Sequence, residues 1–435
     1  MLGDARVLLR GLPKPIEGLS GVIRFTNEEI STPRLSFTMD DEPILLTGTV
    51  TDLTTSPRLT SRAEFTNGSV SLNGTVQADR VLVDRVELIL GNSSLRVQGD
   101  VSRLPDRASH LIAAGTLDLS DLSRIPWVHP TGLEAWQLDG TTMVHLRLLG
   151  PANDWRRIEA TGFLRADHLV VRGVPFQAVS TELEQGQGRL VVRLTHAALA
   201  DGRLTGEFLT ETTGRDEPAR CLLECDLTGA NLAQLAASIP AWHQRQLQGS
   251  ASAHASFSGL WNDRGSLRGE GWVHATGEQL GELPVVDRLF RGVFGALADR
   301  LGLASLRKAQ LTKLAGQWHL SQERIITEDL RLTGTLGMEP IVVVLRGSVG
   351  LDTTLDLTVE PELPEQLVLQ APTTSTLSTT ILKVVGGAER LRRMVGRHHL
   401  GGTIDQPQYK FEFSLEQLLN QLFPSGFGQM LESVR

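Results

Sequence analysis

The chain has 435 residues, 40% of them hydrophobic and 21% charged, with 43 glycines and a formal net charge of −8 at pH 7. That apolar content excludes a disordered chain, and the acidic balance lacks the clustered basic excess of a nucleic-acid binder. Aromatic residues make up only 5%, with a single tyrosine (Tyr409), so base-stacking platforms are excluded too.

Length alone suits two or three globular domains or an elongated repeat array. The opening MLGDARVLLRGLPKP is neither a signal peptide nor a span, because Arg6 and Arg10 break a short apolar run. No later stretch reaches the about 18 uninterrupted apolar residues of a span. Starting abruptly in strand-like sequence, the chain reads as the C-terminal portion of a longer product.

Gly11–Gly115 reads as successive short strands. A glycine-centred phrase recurs as Leu46-Thr-Gly-Thr-Val50, Leu72-Asn-Gly-Thr-Val76 and Val97-Gln-Gly-Asp-Val101, at roughly one hairpin per repeat. Asn67-Gly68 between strand-like runs predicts a type I′ hairpin turn, and Asn92-Ser-Ser after Leu90-Gly91 predicts another turn. The next region opens with Leu117-Asp-Leu-Ser-Asp-Leu-Ser-Arg-Ile-Pro126, where Ser120 and Asp121 suit the cap of a short helix ended by proline. Strands follow at Val144–Leu148, Ile158–Gly162, Leu169–Arg172, Leu190–Leu194 and Leu204–Leu209.

Leu227–Pro240 repeats that plan of strand, polar cap, short apolar helix and proline, which predicts a higher-order repeat of about a hundred residues. Just before it, Cys221 and Cys225 alternate with their neighbours like a strand. Residues four apart in a strand are roughly 13 Å apart, too far for a disulfide, so both are expected as small, buried, unbridged side chains. Leu283, Val286, Leu289, Phe290, Val293, Phe294, Leu297 and Leu301 then recur at helical spacing. Such a stripe suits a helix over a sheet edge or the end of an array; it also fits a membrane-surface helix. A weaker helix over 381–395 carries a basic group, Arg390, Arg392, Arg393 and Arg397, which suits either a solvated helix face or contact with anionic headgroups.

Two more glycine-centred phrases, Leu332-Thr-Gly-Thr-Leu336 and Leu345-Arg-Gly-Ser-Val349, lead to Leu355-Asp-Leu-Thr-Val359, whose strict alternation predicts a hairpin with one apolar and one polar face. Tyr409–Phe413 reads as a closing strand, followed by an amphipathic helix from Ser414.

The chemistry-bearing patterns are missing. The sequence has no phosphate-cradling GxxxxGK[ST], no G-x-S-x-G and no H-E-x-x-H. No Cys/His set has zinc spacing, and His398-His399 read as a solvated basic turn. Asp40-Asp41 read as turn carboxylates. Asn67, Asn73 and Asn92 open glycosylation-like triplets that turn chemistry explains equally well. No clustering of acidic and aromatic residues on one face, as a carbohydrate enzyme would need, is visible. Neither catalysis, a metal nor a cofactor is expected. What remains is architectural: a long array with one apolar face must close, be covered or hold an apolar ligand, and its positions are largely Leu, Val and Ala.

Three groups of residues carry a resemblance. They are the repeated plan of Leu117–Pro126 and Leu227–Pro240; the block Gly281-Glu-Leu-Pro-Val-Val-Asp-Arg-Leu-Phe290 with Leu314–Leu320 and Ile325–Gly334; and the terminal Leu400-Gly-Gly-Thr-Ile-Asp-Gln-Pro407. With these the chain resembles the AsmA-like proteins, relatives of TamB and YhdP, among the repeating-β-groove lipid transfer proteins. The resemblance implies a mainly β fold, an elongated antiparallel sheet curved into a groove with a few short crossing helices. It implies a periplasmic protein, anchored in the inner membrane through an N-terminal helix absent from these residues, that carries phospholipid acyl chains and supports outer-membrane biogenesis. The implied partners are phospholipid, membrane and an envelope protein, with no nucleic acid.

The expected segments are β-groove repeats at 1–115 and 116–229, an AsmA-like β region at 230–413 with helices near 283–303 and 381–395, and a helix at 414–435. The candidate lipid-binding residues are Val144, Leu146, Leu148, Leu190, Val192, Leu194, Leu355, Leu357 and Val359, each of which also suits ordinary core packing. The rival expectation is a non-catalytic envelope scaffold with a closed β core.

Overall fold

The computed structural model of this protein describes residues 2–7, 15–39, 42–103, 108–124, 137–151, 157–212, 218–238, 247–261, 263–278, 280, 310–336, 339–362, 398–404 and 406–411. Strands dominate them: β1 (Leu2–Val7), β2 (Ile16–Phe25), β3 (Glu29–Met39), β4 (Glu42–Thr51), β5 (Arg58–Phe65), β6 (Gly68–Val76), β7 (Arg80–Leu90), β8 (Ser93–Ser102), β9 (Ser109–Asp118), β10 (Leu138–Gly150), β11 (Glu159–Val171), β12 (Val174–Gly186), β13 (Arg189–Leu199) and β14 (Gly202–Glu211). They continue with β15 (Arg220–Asn231), β16 (Ser250–Leu260), β17 (Asp263–Thr276), β18 (Gln310–Ser321), β19 (Arg324–Leu336), β20 (Glu339–Gly350), β21 (Leu355–Glu362), β22 (His398–Gly402) and β23 (Pro407–Phe411). A 3-10 helix, Leu119–Arg124, follows β9, and one α-helix, α1 (Leu232–Ser238), follows β15.

The chain divides into two compact units, Met1–Leu199 with Leu204–Ala219, and Ala200–Arg203 with Arg220–Arg435. In the first, every strand from β1 to β12 pairs antiparallel with its successor. In the second, β15 to β23 do the same. The expected fold class, mainly β with an open antiparallel sheet, is the observed one. The expected helices near 283–303, 381–395 and 414–435, and the Arg390–Arg397 group, lie outside the described residues.

Register explains the glycine-centred phrases. Side chains two apart share a face, so Leu46, Gly48 and Val50 fall on one side of β4 opposite Ala63, Ser61 and Leu59 of β5. Leu345, Gly347 and Val349 fall likewise opposite Val359, Leu357 and Leu355, which makes β20 and β21 the expected two-faced hairpin.

The central glycines mark close backbone approach. At Gly99 a Cβ would lie 2.0 Å from the His110 carbonyl oxygen, and at Gly347 it would lie 2.2 Å from that of Asp356. Only a residue without a Cβ lets the neighbouring strand approach this closely at these points. Glycines and bulges are the usual means of curving a sheet.

The turns are only partly as expected. Gly91-Asn92 does join β7 to β8. Phe65 pairs with Gly68, so the Asn67 hairpin exists. Neither Asn67 nor Gly68 has positive φ, however, so the turn is not type I′. Gly68 is required for another reason: a Cβ there would lie 2.1 Å from the Ile89 carbonyl oxygen. Paired positive φ angles, as in type I′ turns, occur instead at Arg172-Gly173, Gln187-Gly188, Ala200-Asp201 and Gln322-Glu323.

The higher-order repeat is real at the level of docking. After β9, the 3-10 helix sends the fully buried Asp121 into the β7–β8 turn. Its carboxylate accepts from the Asn92 and Ser93 amides at 2.9 and 3.1 Å and from the Ser93 hydroxyl at 2.9 Å. The expected cap is corrected: Asp118, accepting from the Ser120 amide at 3.0 Å and hydroxyl at 2.7 Å, holds the start of the helix. After β15, Asn231 caps α1 as expected, accepting from the Ala233 amide at 3.0 Å. Gln234 on α1 then donates to Asp201 in the turn before β14. In both places a short helix grips a hairpin turn two strands back in sequence.

Candidate functional site

The apolar face of the first unit is organised in rows that run across the strands. Leu72, Val86, Val97, Ala113, Leu146, Gly162, Leu183 and Val192 are successive cross-strand partners from β6 to β13. No polar side chain interrupts this row over eight strands, a span of roughly 34 Å at about 4.8 Å per strand. One row over lie Val144, Leu164, Thr181 and Leu194; on the other side lie Leu148, Ala160, Gln185 and Leu190. The six candidate residues of β10 and β13 therefore share one face, in register, joined by residues of β11 and β12 that sequence reasoning did not select. Val144 is buried, whereas Leu146, Leu148, Leu190, Val192 and Leu194 are half-buried.

Charge is displaced to the other face. Arg193 pairs with Glu184 at 3.0 Å and Glu207 at 2.9 Å; the hydrogen bonds to these carboxylates raise its pKa. Phe163 stacks on His145 with centroids 5.4 Å apart, under the Arg165 guanidinium at 4.7 Å.

The second unit has the same two faces. Leu223, Cys225 and Leu227 of β15 meet Phe257, Ala255 and Ala253 of β16, which meet Gly269, Gly271 and Val273 of β17 and then Leu320, Trp318 and Gly316 of β18. Leu223 is 41% exposed, so the face is open at this end. It is closed further on. Leu355, Leu357 and Val359 lie on the apolar face as expected but are buried, with Leu357 at 2% and Val359 at 0% exposure. They act as packing in this structure and offer no open surface. The wet face behind them carries Arg346 paired with Glu360 at 2.6 Å.

Neither cysteine is in a disulfide, as their spacing predicts, but both are half-buried on the apolar face where full burial was expected. Burial, reinforced by Asp226 and Glu224, pushes the Cys225 thiol pKa up. His398 is a correction: it is not in a solvated turn but on β22, fully buried opposite Val359. His399 faces the other way, 3.8 Å from Asp356.

Cross-strand clusters were invisible in the sequence because antiparallel pairing joins residues far apart in it. The Asp226 carboxylate accepts from His254 Nδ1 at 2.8 Å across 28 residues. With Glu224 they form a set whose donor atoms all lie within 4.8 Å of one another, close enough for a metal ion. Asp226 is 49% exposed in its side chain, and its hydrogen bond to His254 accounts for the contact without an ion. Beside them, the polar face of β16–β19 forms an open depression of about 810 Å³ around Trp272. The sequence shows no grouping of acidic and aromatic residues; the register creates one here.

No described helix is long and apolar enough to cross a membrane. No family model, curated protein or solved structure matches the chain.

Proposed function

We propose that the apolar face is a non-catalytic lipid-binding groove that carries phospholipid acyl chains. The observation that supports it is the row from Leu72 to Val192, apolar over eight strands, with Leu146, Leu183 and Val192 half-exposed. An acyl chain lying along it gains about 0.8 kcal/mol per buried CH₂, while its headgroup stays in water at the open side. Aliphatic walls without directed polar groups hold a chain without fixing its position, so transfer is passive sliding. The resemblance to the AsmA-like proteins adds the setting: the periplasm, between inner and outer membranes, with an envelope protein as partner and a role in outer-membrane biogenesis.

A scaffold with a closed core is the second reading, favoured by the burial of Leu345, Leu357 and Val359 in the second unit. The two are separated by native mass spectrometry and lipid extraction of protein purified from membranes. Co-purifying phospholipid, lost in a Leu146→Asp/Val192→Asp variant that keeps its β circular dichroism, supports the groove. A folded, lipid-free wild-type protein overturns it in favour of the scaffold.

A further inference from the structure

Trp272 sits where an apolar side chain has no reason to be. It lies on the polar face of β17, directly between His254 of β16 and Gln317 of β18. Its neighbours along and across the strands include Ser252, Ser256 and Ala315, all small. The indole is left 40% exposed in consequence, at the wall of the 810 Å³ depression. That volume is in the range of small-ligand sites, about 300–1,000 Å³.

The polar groups lining the depression are of both kinds. Glu270, Glu328 and Asp329 bring acceptors; Gln317 brings a donor and an acceptor, and His319 one of each when neutral. Arg331 brings donors, held in place by Asp329 at 2.8 Å. A simple cation would need acceptors only, and Arg331 opposes it. An anion would need donors only, and three carboxylates oppose it. A ligand that presents hydroxyls around its rim and a C–H surface on its face matches an exposed indole ringed by mixed donors and acceptors. Trp joins an apolar body to a polar edge and suits such an amphipathic surface.

We infer that the depression around Trp272 binds a saccharide, with a sugar ring stacked on the indole and its hydroxyls met by Glu270, Gln317 and Arg331. The site lies on the polar face of β16–β19, opposite the apolar face of its own unit, and shares no residue with the proposed acyl-chain row of the first unit, so either assignment can fail alone. Binding is the whole of the inference; no bond is made or broken.

The test is a glycan array with the full chain, followed by calorimetric titration with the best-bound oligosaccharide and with choline. The expected result is saturable oligosaccharide binding, weakened roughly tenfold in Trp272→Ala and also in Glu270→Gln. Binding should be unchanged in Trp261→Ala, which removes another exposed tryptophan, 55% exposed and outside the depression. Circular dichroism establishes that each variant is folded. An array with no bound glycan overturns the inference. So does oligosaccharide binding indifferent to Trp272→Ala, or binding of choline alone, which makes the site one for quaternary ammonium. If array hits are confined to lipid-linked glycans and the free oligosaccharides fail to compete, the source is a glycolipid headgroup; competition by free oligosaccharide identifies a soluble glycan.

Discussion

The rings of Phe257 and Trp318 meet across a strand that has no side chains to separate them. Their centroids are 5.6 Å apart. Phe257 leans over Gly269 and Trp318 over Gly271, each ring within 2.6 Å of where a Cβ would stand. Two glycines of β17 thus leave room for two aromatics from β16 and β18, so the apolar face stays filled across β17.

Replacing Gly271 by Val should therefore both displace Trp318 and push against the His254 carbonyl. Overpacking of this kind costs about 1–3 kcal/mol. Urea unfolding should report that loss, and near-ultraviolet circular dichroism should show a changed tryptophan signal in the folded protein.

Asp121→Ala removes the acceptor of three hydrogen bonds and leaves the Ser93 group without it in a buried place. The expected destabilisation is about 2–3 kcal/mol, at the upper end for one residue because buried donors are left unsatisfied. Removing a helix cap in the second unit, Asn231→Ala, should cost less, about 1 kcal/mol. Chemical denaturation of the two variants beside wild type tests the ordering.

Leu146 and Leu357 differ in environment although both alternate on strands. Leu357→Asp places a charge where exposure is 2% and should cost more than about 3 kcal/mol, enough to unfold a marginal domain. Leu146→Asp, on a half-open surface, should leave the thermal unfolding midpoint much closer to wild type. A thermal melt of both variants gives the comparison, and equal losses would contradict a difference in accessibility between the two positions.

Cys225 has a thiol held above its ordinary pKa, first by burial and then by Asp226 and Glu224. Its thiolate fraction at mildly alkaline pH is accordingly low. Iodoacetamide should label it more slowly than a free thiol, with the rate rising only at higher pH. The linkage follows in sign: an acid whose folded pKa is raised lends stability below its unfolded value, and that stability is lost as pH rises through the folded pKa. Cys225→Ser should flatten this alkaline decline, as pH-dependent urea unfolding would show.

Much of the fold was legible because its period is short. Alternation over Leu355–Val359 fixes two faces without any knowledge of partners, and Asn231 before an apolar run fixes a helix start. The glycine phrases revealed repetition but not its cause, since the carbonyl oxygens that approach Gly99 and Gly347 come from other strands. Ala200-Asp201 and Gln322-Glu323 adopt left-handed turns without a glycine, so nothing in their composition announces them. The grouping of Trp272 with His254 and Gln317 depends on register alone, and a shift of one residue would send Trp272 to the apolar side.

The successive pairing of β1 to β13 and of β15 to β23 bears on how the protein is made. Contacts between sequence neighbours close small loops, so little chain entropy is lost before each new contact forms. A hairpin can be added as soon as its two strands have left the ribosome, and the next strand finds its template already in place. Assembly by this route is a growing front rather than a search, and a lesion in one hairpin should halt the front there while strands already laid down persist.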